Sequence, residues 1–145
     1  MAAIVALEVN AKLTEAPYFY RTDRPMVVAH RGSYGSFPEH SIAAYNDAYH
    51  SGADFSDIDL EISKDGYLVA IHDPYLNDTT NVTEYAETFA HLLSDDGKYY
   101  VCDFTLAELK MLRLRQRYAS RSQLLNDKYE LLTLEEVIGN FKMFN

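Results

Sequence analysis

Residues 26–52 constrain the fold more than any other part of the sequence. They open with the short apolar run Met-Val-Val-Ala, which predicts a fully buried strand. A loop rich in Gly, Ser and Pro follows, from Gly32 to Pro38. Ser41 can then cap a helix, and Gly52 stands where the C-terminal cap of that helix belongs. Strand, loop and helix in this order make half of a βαβ unit, so the sequence predicts an α/β fold.

A second pattern, over residues 55–71, predicts a β-hairpin. From Phe55 to Ile62 apolar residues alternate with acidic ones, which is typical of a strand, and Tyr67 to Ile71 is a further apolar run. Lys64-Asp65-Gly66 lies between them, and Asp-Gly between two strand patterns is a strong hairpin signal. We therefore expect two antiparallel strands joined by a two-residue turn.

The hairpin brings candidate site residues together. On the first strand Asp57, Asp59 and Glu61 project from one face. With Asp65-Gly66 as the turn, counting back along both strands sets Asp59 opposite His72. Directly opposed Cβ atoms lie roughly 5 Å apart, which places a carboxylate beside an imidazole. Carboxylates bind Ca²⁺ or Mg²⁺ and histidine transfers protons, so this face is a candidate site; the alternative is a solvated polar face of an edge strand.

His30 and Arg31 end the first predicted strand. The carboxyl ends of strands are the edge where parallel sheets and barrels assemble their active sites. A histidine there is as often structural as catalytic. Arg31 can hold a phosphate through its fork of donors, or form a surface ion pair instead. These residues thus indicate a phosphate site only in combination with others.

The formal net charge of −9 disfavours nonspecific binding to nucleic acid or anionic membranes. A phosphodiester site in such a chain needs a cation or a fixed arginine. No stretch is long and apolar enough to span a membrane. The opening Met-Ala-Ala-Ile-Val-Ala-Leu run is too short for a secretory signal, so the predicted location is cytoplasmic, although sequons at Asn77 and Asn81 would matter in a secreted form.

The rest of the chain gives coarser predictions. Residues 77–100 are polar and aperiodic, which predicts a long loop at the edge of the scaffold. Thr105-Leu-Ala-Glu108 and Thr133-Leu-Glu-Glu136 are capping boxes that open two further helices. No linker or repeat divides the chain, so we predict an N-terminal extension at 1–24 and one domain at 25–145.

Together, these motifs resemble the glycerophosphodiester phosphodiesterases. The order His-Arg-Gly, Pro-Glu, Gly-Ala-Asp, Asp-x-Asp, Lys-Asp-Gly and His-Asp runs from about Val27 to Thr80. Asp96-Gly-Lys-Tyr-Tyr-Val and Asp103-Phe-Thr-Leu resemble especially the bacterial periplasmic type. The resemblance implies an α/β fold of the TIM-barrel type and hydrolysis of glycerophosphodiesters to glycerol 3-phosphate and an alcohol. Residues 25–145 would be an incomplete barrel, with the first few βα units and an inserted β-hairpin.

The resemblance also implies roles for seven residues and a divalent cation, Ca²⁺ or Mg²⁺, as cofactor. The residues are the catalytic histidines His30 and His72, the phosphate-binding Arg31, the metal ligands Asp57 and Asp59, and the supporting residues Glu39 and Asp73.

Three departures from the family pattern leave the function open. Asp57 stands where the family usually has Glu, and His40 where Asn is usual. The family's third acidic metal ligand lies on a strand that would follow residue 145. The leading hypothesis is metal-dependent hydrolysis of a small phosphodiester; the alternative is a truncated, inactive barrel that acts as a binding or assembly module, through self-association or with a missing C-terminal half. A related barrel lipase such as a sphingomyelinase D fits the spacing from Lys-Asp-Gly to His-Asp less well.

Overall fold

A βαβ unit forms the start of the fold. In the computed structural model, which describes residues 24–143, strand β1 (Val28–Ala29) pairs in parallel with strand β2 (Phe55–Ser56). Helix α1 (Ile42–His50) connects the two strands. Parallel neighbours require such a crossover connection. The α/β prediction from residues 26–52 is confirmed.

Both ends of α1 follow the predicted capping signals. The Ser41 side chain accepts a hydrogen bond from the Ala44 amide at 3.1 Å. Gly52, just past the helix, has φ +82°, a left-handed conformation that glycine adopts at little cost. The helix buries Ala44, Tyr45 and Ala48. These caps fix the length of the crossover and the place where β2 begins.

The first strand is less covered than predicted. Val27 and Val28 are 56% and 59% exposed, so the expectation of a fully buried strand is wrong. Within residues 24–143, β1 pairs only with β2. The other edge of β1 therefore has no partner strand among the described residues.

The hairpin forms, but its turn contains three residues instead of two. Strands β3 (Leu60–Ile62) and β4 (Leu68–Ala70) are antiparallel, with Glu61 opposite Val69. The Ser63 amide donates to the Tyr67 carbonyl at 2.9 Å, which leaves Lys64, Asp65 and Gly66 in the turn. The register is thus one residue away from the predicted one. Asp59 lies opposite Ile71, whose amide donates to the Asp59 carbonyl at 3.1 Å.

Contacts with the start of the next helix explain the wider turn. Gly66 has φ +90°, as the last position of a three-residue hairpin loop requires. The Asp65 carboxylate accepts from the Ser63 hydroxyl at 2.7 Å and from the Leu106 amide at 2.9 Å. The Lys64 amide donates to the Phe104 carbonyl at 2.8 Å. The Asp-Gly pattern is local, so it could not predict these bonds to residues about 40 positions away.

The predicted single strand over 55–62 divides into β2 and β3. Its first part pairs with β1, whereas its last part pairs with β4. The chain therefore changes partner at residues 57–59, and this segment carries two of the predicted site residues.

The segment 77–100 is a long and largely exposed loop, as predicted, but some of its side chains reach the core. Val82, Phe89 and Tyr99 are buried in the larger apolar cluster, and the Phe89 and Phe104 rings meet edge to face at 5.0 Å. The three buried residues lie in or beside short 3₁₀ turns at Val82–Tyr85, Ala90–Leu92 and Val101–Asp103. Because such turns are short and irregular, their buried residues show no regular period in the sequence.

Both capping boxes form as predicted. Thr105 caps helix α2 (Leu106–Leu109), and the Glu108 carboxylate accepts from the Thr105 amide at 2.8 Å. Thr133 caps helix α3 (Leu134–Lys142) with the same reciprocal pair of bonds. α3 packs its buried Val137 and Phe141 against Tyr45, Ile58 and Ala70, which together form a second apolar cluster.

Residues 1–23, which make up nearly all of the predicted N-terminal extension, lie outside the described residues. The division at residue 24 therefore stays a prediction. Of the helices within residues 24–143, none has the length and apolarity to cross a membrane.

Gly32 offers a test of the bend that follows β1. It has φ +74°, and a Cβ at this position would lie 2.7 Å from the Ala44 carbonyl carbon. We expect Gly32→Ala to lower the free energy of unfolding by about 1–3 kcal/mol, measured by urea denaturation. Gly35→Ala is the matched control, because a Cβ at Gly35 meets nothing within 4 Å. Equal effects of the two substitutions would contradict this account of the bend.

Candidate active site

The carboxyl end of β1 places His30 and Arg31 side by side. The His30 side chain is 54% exposed, whereas Arg31 is buried. Arg31 has φ +55°, a left-handed conformation that is uncommon outside glycine. Strained backbone of this kind persists only where surrounding contacts fix it. An imidazole at the surface thus adjoins a guanidinium held in the interior.

Asp57 and Asp59 lie between β2 and β3, next to this strand end. Asp57 Oδ2 is 3.9 Å from His30 Nε2. Asp59 Oδ2 is 3.2 Å from Arg31 Nε, although this buried nitrogen makes no hydrogen bond. Burial raises the pKa of Tyr45 well above its ordinary value, and the charges of Asp57 and Asp59 raise it further. Both carboxylates therefore lie near the same phenol.

His40 holds Asp59 from the protein interior. It is 1% exposed, its Nδ1 is 2.7 Å from the Tyr45 hydroxyl, and its Nε2 is 3.3 Å from Asp59 Oδ2. The hydrogen bond with His40 lowers the pKa of Asp59 and, with the charges of His40, His72 and Arg31, outweighs the opposing effect of burial. Sequence reasoning noted His40 only as a departure from a family pattern and missed this contact.

His72 follows β4 and remains near Asp59 despite the shifted register. The predicted cross-strand pairing of the two residues is wrong, because Asp59 lies opposite Ile71. However, the charge of His72 contributes to the lowered pKa of Asp59. The two side chains therefore lie close enough for an electrostatic effect, without the predicted direct contact.

Asp73 orients the His72 ring. Nδ1 of His72 lies 2.6 Å from Asp73 Oδ1. Burial raises the pKa of Asp73, but the hydrogen bond with His72 and the positive charge of Arg117 outweigh it, and the pKa is lowered. The carboxylate accepts, so Nδ1 of the imidazole donates. The His72 side chain is 40% exposed, which leaves the ring accessible to a ligand.

Glu39 connects two arginines in the interior. It is 4% exposed and accepts from Arg31 Nη1 at 3.1 Å. It also accepts from Arg117 Nε at 2.9 Å and from Arg117 Nη2 at 2.8 Å. Arg117 Nη2 further donates to Asp73 Oδ2 at 2.7 Å. We call Arg31, Glu39, Arg117 and Asp73 the ionic chain; it joins the bend after β1 to the segment after β4.

Sequence reasoning missed Arg117 because its partners are distant along the chain. Glu39 is 78 residues away and Asp73 is 44 residues away. The backbone around it is held by the Arg115 amide, which donates to the Thr79 carbonyl at 2.7 Å. The alternation Leu-Arg-Leu-Arg-Gln-Arg at 112–117 was the one available signal, since it indicates an extended segment with arginines on one side.

The described residues fit part of a divalent-cation site. Asp57 and Asp59 are neighbouring carboxylates, the oxygen ligands that Ca²⁺ and Mg²⁺ prefer. Within residues 24–143, however, no group of three or more His, Cys, Asp or Glu side chains is arranged to hold a metal ion. These cations take six or more ligands, some of them water or substrate oxygens. Two carboxylates would therefore supply only some of the ligands.

Glu39 should be essential for stability. Glu39→Gln keeps the shape of the side chain but leaves the buried Arg31 and the partly buried Arg117 without their shared carboxylate. We expect the free energy of unfolding, from urea denaturation, to fall by about 3–5 kcal/mol. Glu87→Gln, at an exposed position, should change it by less than about 0.5 kcal/mol. Similar small losses in both variants would show that the ionic chain contributes little.

Asp73 should contribute stability that depends on pH. Its pKa is lowered in the folded chain, so its contribution is present above the unfolded pKa of about 3.9 and is lost as the pH falls through the folded value. We expect the difference in unfolding free energy between the wild-type chain and Asp73→Asn to narrow as the pH falls below about 5. The exposed-site variant Asp95→Asn should show a smaller difference throughout. A constant difference for Asp73→Asn would rule out the assigned ion pairs.

Comparisons with known proteins show the family of this chain. Residues 30–144 match the model of the glycerophosphoryl diester phosphodiesterase family. A glycerophosphodiester phosphodiesterase from Arabidopsis thaliana is 41% identical over 125 residues, which cover 82% of this chain and 34% of the relative. A glycerophosphodiester phosphodiesterase from Haemophilus influenzae is 38% identical over 96 residues, or 66% of this chain and 26% of the relative. The chain thus spans about a third or less of the length of these two relatives.

Solved structures share the fold. An Oleispira antarctica phosphodiesterase in complex with the product sn-glycerol-3-phosphate superposes with a TM-score of 0.61 at 30% identity, over 83% of this chain and 41% of that one. The described residues therefore form the first part of a TIM-barrel fold, with the hairpin β3–β4 inserted, as the sequence predicted. This chain belongs to the glycerophosphoryl diester phosphodiesterase family.

Proposed function

We propose that this chain carries the site of a metal-dependent phosphodiesterase that hydrolyses glycerophosphodiesters to glycerol 3-phosphate and an alcohol. One observation carries the proposal: the exposed imidazole of His30 lies near Asp57, the exposed imidazole of His72 acts electrostatically on Asp59, and Asp59 faces the buried Arg31. The glycerol 3-phosphate in the Oleispira structure supports the choice of product. The family model supports the reaction class.

Arg31 is proposed to bind the phosphate. The chain carries a net charge of −9, so an anionic substrate needs a fixed positive group where it binds. Nη1 of Arg31 donates to Glu39 and Nε faces Asp59, so Nη2 is the atom left to donate to a phosphate oxygen. Its burial among ion pairs holds the guanidinium in one orientation, so the direction in which Nη2 can donate is fixed before the substrate binds.

Asp57 and Asp59 are proposed to supply carboxylate oxygens to a divalent cation, Ca²⁺ or Mg²⁺. When bound, such a cation neutralises charge on the phosphoryl group and polarises its bonds. Asp59 is suited to this role because its pKa is lowered, so the side chain is a carboxylate at neutral pH. Asp57 has a shorter side chain than the Glu usual in the family, and it would still offer carboxylate oxygens to such an ion.

His30 and His72 are proposed to move the protons. One histidine removes a proton from the attacking water, and the other donates a proton to the leaving alcohol. Nδ1 of His72 donates to Asp73, which leaves its Nε2 for the substrate. Both rings are about half exposed, as groups that must reach a ligand from solvent require.

A second candidate is an inactive barrel segment that acts as a binding or assembly module. The observation that favours it is that residues 24–143 gather fewer than three metal-ligating side chains at any point. Its partner would be another copy or a separate chain that completes the barrel. An ordered, cooperatively melting chain without turnover, and with a concentration-dependent mass in sedimentation, would support this candidate.

The two histidines provide the test of the leading proposal. The purified chain should release glycerol 3-phosphate from glycerophosphocholine, and EDTA should abolish the release. We expect His30→Ala and His72→Ala to lower kcat by about 10²–10⁴-fold, because each removes a proton-transfer group. His91→Ala, in an exposed 3₁₀ turn near Glu108, is the control and should leave kcat unchanged. Undiminished turnover in His72→Ala would defeat the role assigned to that residue.

A further inference from the structure

Arg117 fixes the orientation of Asp73. Its side chain is 16% exposed, and its guanidinium donates two bonds to Glu39, at 2.9 and 2.8 Å. The same Nη2 donates to Asp73 Oδ2 at 2.7 Å. The two bonds to Glu39 hold the rigid guanidinium in place, which fixes the direction from which Nη2 meets Asp73. Because Glu39 is itself buried and bonded to Arg31, Arg117 cannot shift toward Asp73 without breaking those bonds.

The orientation of Asp73 in turn selects one tautomer of His72. One carboxylate oxygen, Oδ2, receives the bond from Arg117, and the other, Oδ1, faces His72 Nδ1 at 2.6 Å. A carboxylate only accepts hydrogen bonds, so Nδ1 must carry the proton. In a neutral imidazole the lone pair then resides on Nε2. Nε2 is therefore the nitrogen that can take a proton from a ligand.

We propose that Arg117 is a positioning residue: by holding Asp73 it keeps His72 in the Nδ1–H form, with Nε2 available for proton transfer. The consequence for turnover rests on the proposed function of His72. The tautomer, by contrast, is a property of the folded chain and can be measured without substrate. The rival explanation is that Arg117 is only an interior ion pair, which would affect stability and nothing else.

Other contacts hold the segment of Arg117 in place, so a variant can remain folded. The Arg115 amide donates to the Thr79 carbonyl at 2.7 Å, and Gln116 Nε2 donates to the Tyr34 carbonyl at 3.1 Å. Leu114 is buried and bridges to Thr80. Removing the Arg117 guanidinium should thus release Asp73 more than it displaces the backbone.

The experiment compares Arg117→Met and Arg117→Lys with the control Arg115→Met. Arg115 is two residues away and pairs with Glu84 and Asp127, outside the ionic chain. The ¹⁵N spectrum of the histidine rings, recorded at alkaline pH where imidazoles are neutral, reports the tautomer, with His72→Gln to assign the signal. We expect Nδ1–H to predominate for His72 in the wild-type chain and in Arg115→Met, and a mixture of both tautomers in Arg117→Met.

Kinetics with glycerophosphocholine supply the second readout. Arg117→Met should lower kcat by about 10–100-fold while KM changes by less than about threefold, because Arg117 does not contact Arg31 directly and Glu39 keeps its bond to Arg31. Arg117→Lys keeps the charge but cannot bond both carboxylates in a fork, and its loss should be smaller. Arg115→Met should leave kcat and KM unchanged.

An unaltered His72 tautomer in folded Arg117→Met would overturn the proposal, as would a lower melting temperature with unchanged kcat. If Arg117→Met does not fold, the same two measurements are made on Arg117→Lys. A wild-type ratio of His72 tautomers together with a wild-type kcat in that variant would overturn the proposal. If the wild-type chain hydrolyses no glycerophosphodiester, the proposed function fails, and the tautomer comparison alone decides the role of Arg117.

Discussion

The site depends on the ionic chain Arg31, Glu39, Arg117 and Asp73, because its charges are mostly removed from water and can be stable only together. Each charge offsets the desolvation cost of its neighbour, so removal of one leaves another uncompensated. Asp73, at one end of the chain, also bonds to His72, and Arg31, at the other end, follows His30 directly. One set of interactions therefore holds two loops that the backbone alone would leave independent.

The fold brings these loops together by a change of strand partner. Residues 57–59 leave the parallel pairing with β1 and enter the hairpin, which carries Asp57 and Asp59 past the end of β1. Left-handed backbone at Arg31 and His40 lets both side chains enter the interior at this point. Such strain is tolerated where contacts over-determine the conformation, and buried carboxylates supply those contacts here. The left-handed backbone and the buried carboxylates thus both direct the side chains of Arg31 and His40 into the interior.

Local signals in the sequence predicted much of the fold. Ser41, Gly52 and the two capping boxes mark helix ends through bonds within a few residues, and all of them form. The Asp65-Gly66 signal predicted a hairpin correctly but gave a register one residue off, because bonds to Phe104 and Leu106 widen the turn. Arg117 and the inward contacts of His40 depend on partners far along the chain, which no local pattern encodes. The positions of the seven predicted site residues are described, but their roles stay proposals.

Calorimetric binding of sn-glycerol 3-phosphate tests most directly whether these residues form a phosphate site assisted by a divalent ion. The account predicts that the wild-type chain binds it in Mg²⁺ or Ca²⁺, and that binding weakens at least about tenfold both in EDTA and in Asp59→Asn. Equal affinity with and without the cation, together with unchanged affinity in Asp59→Asn, would contradict it.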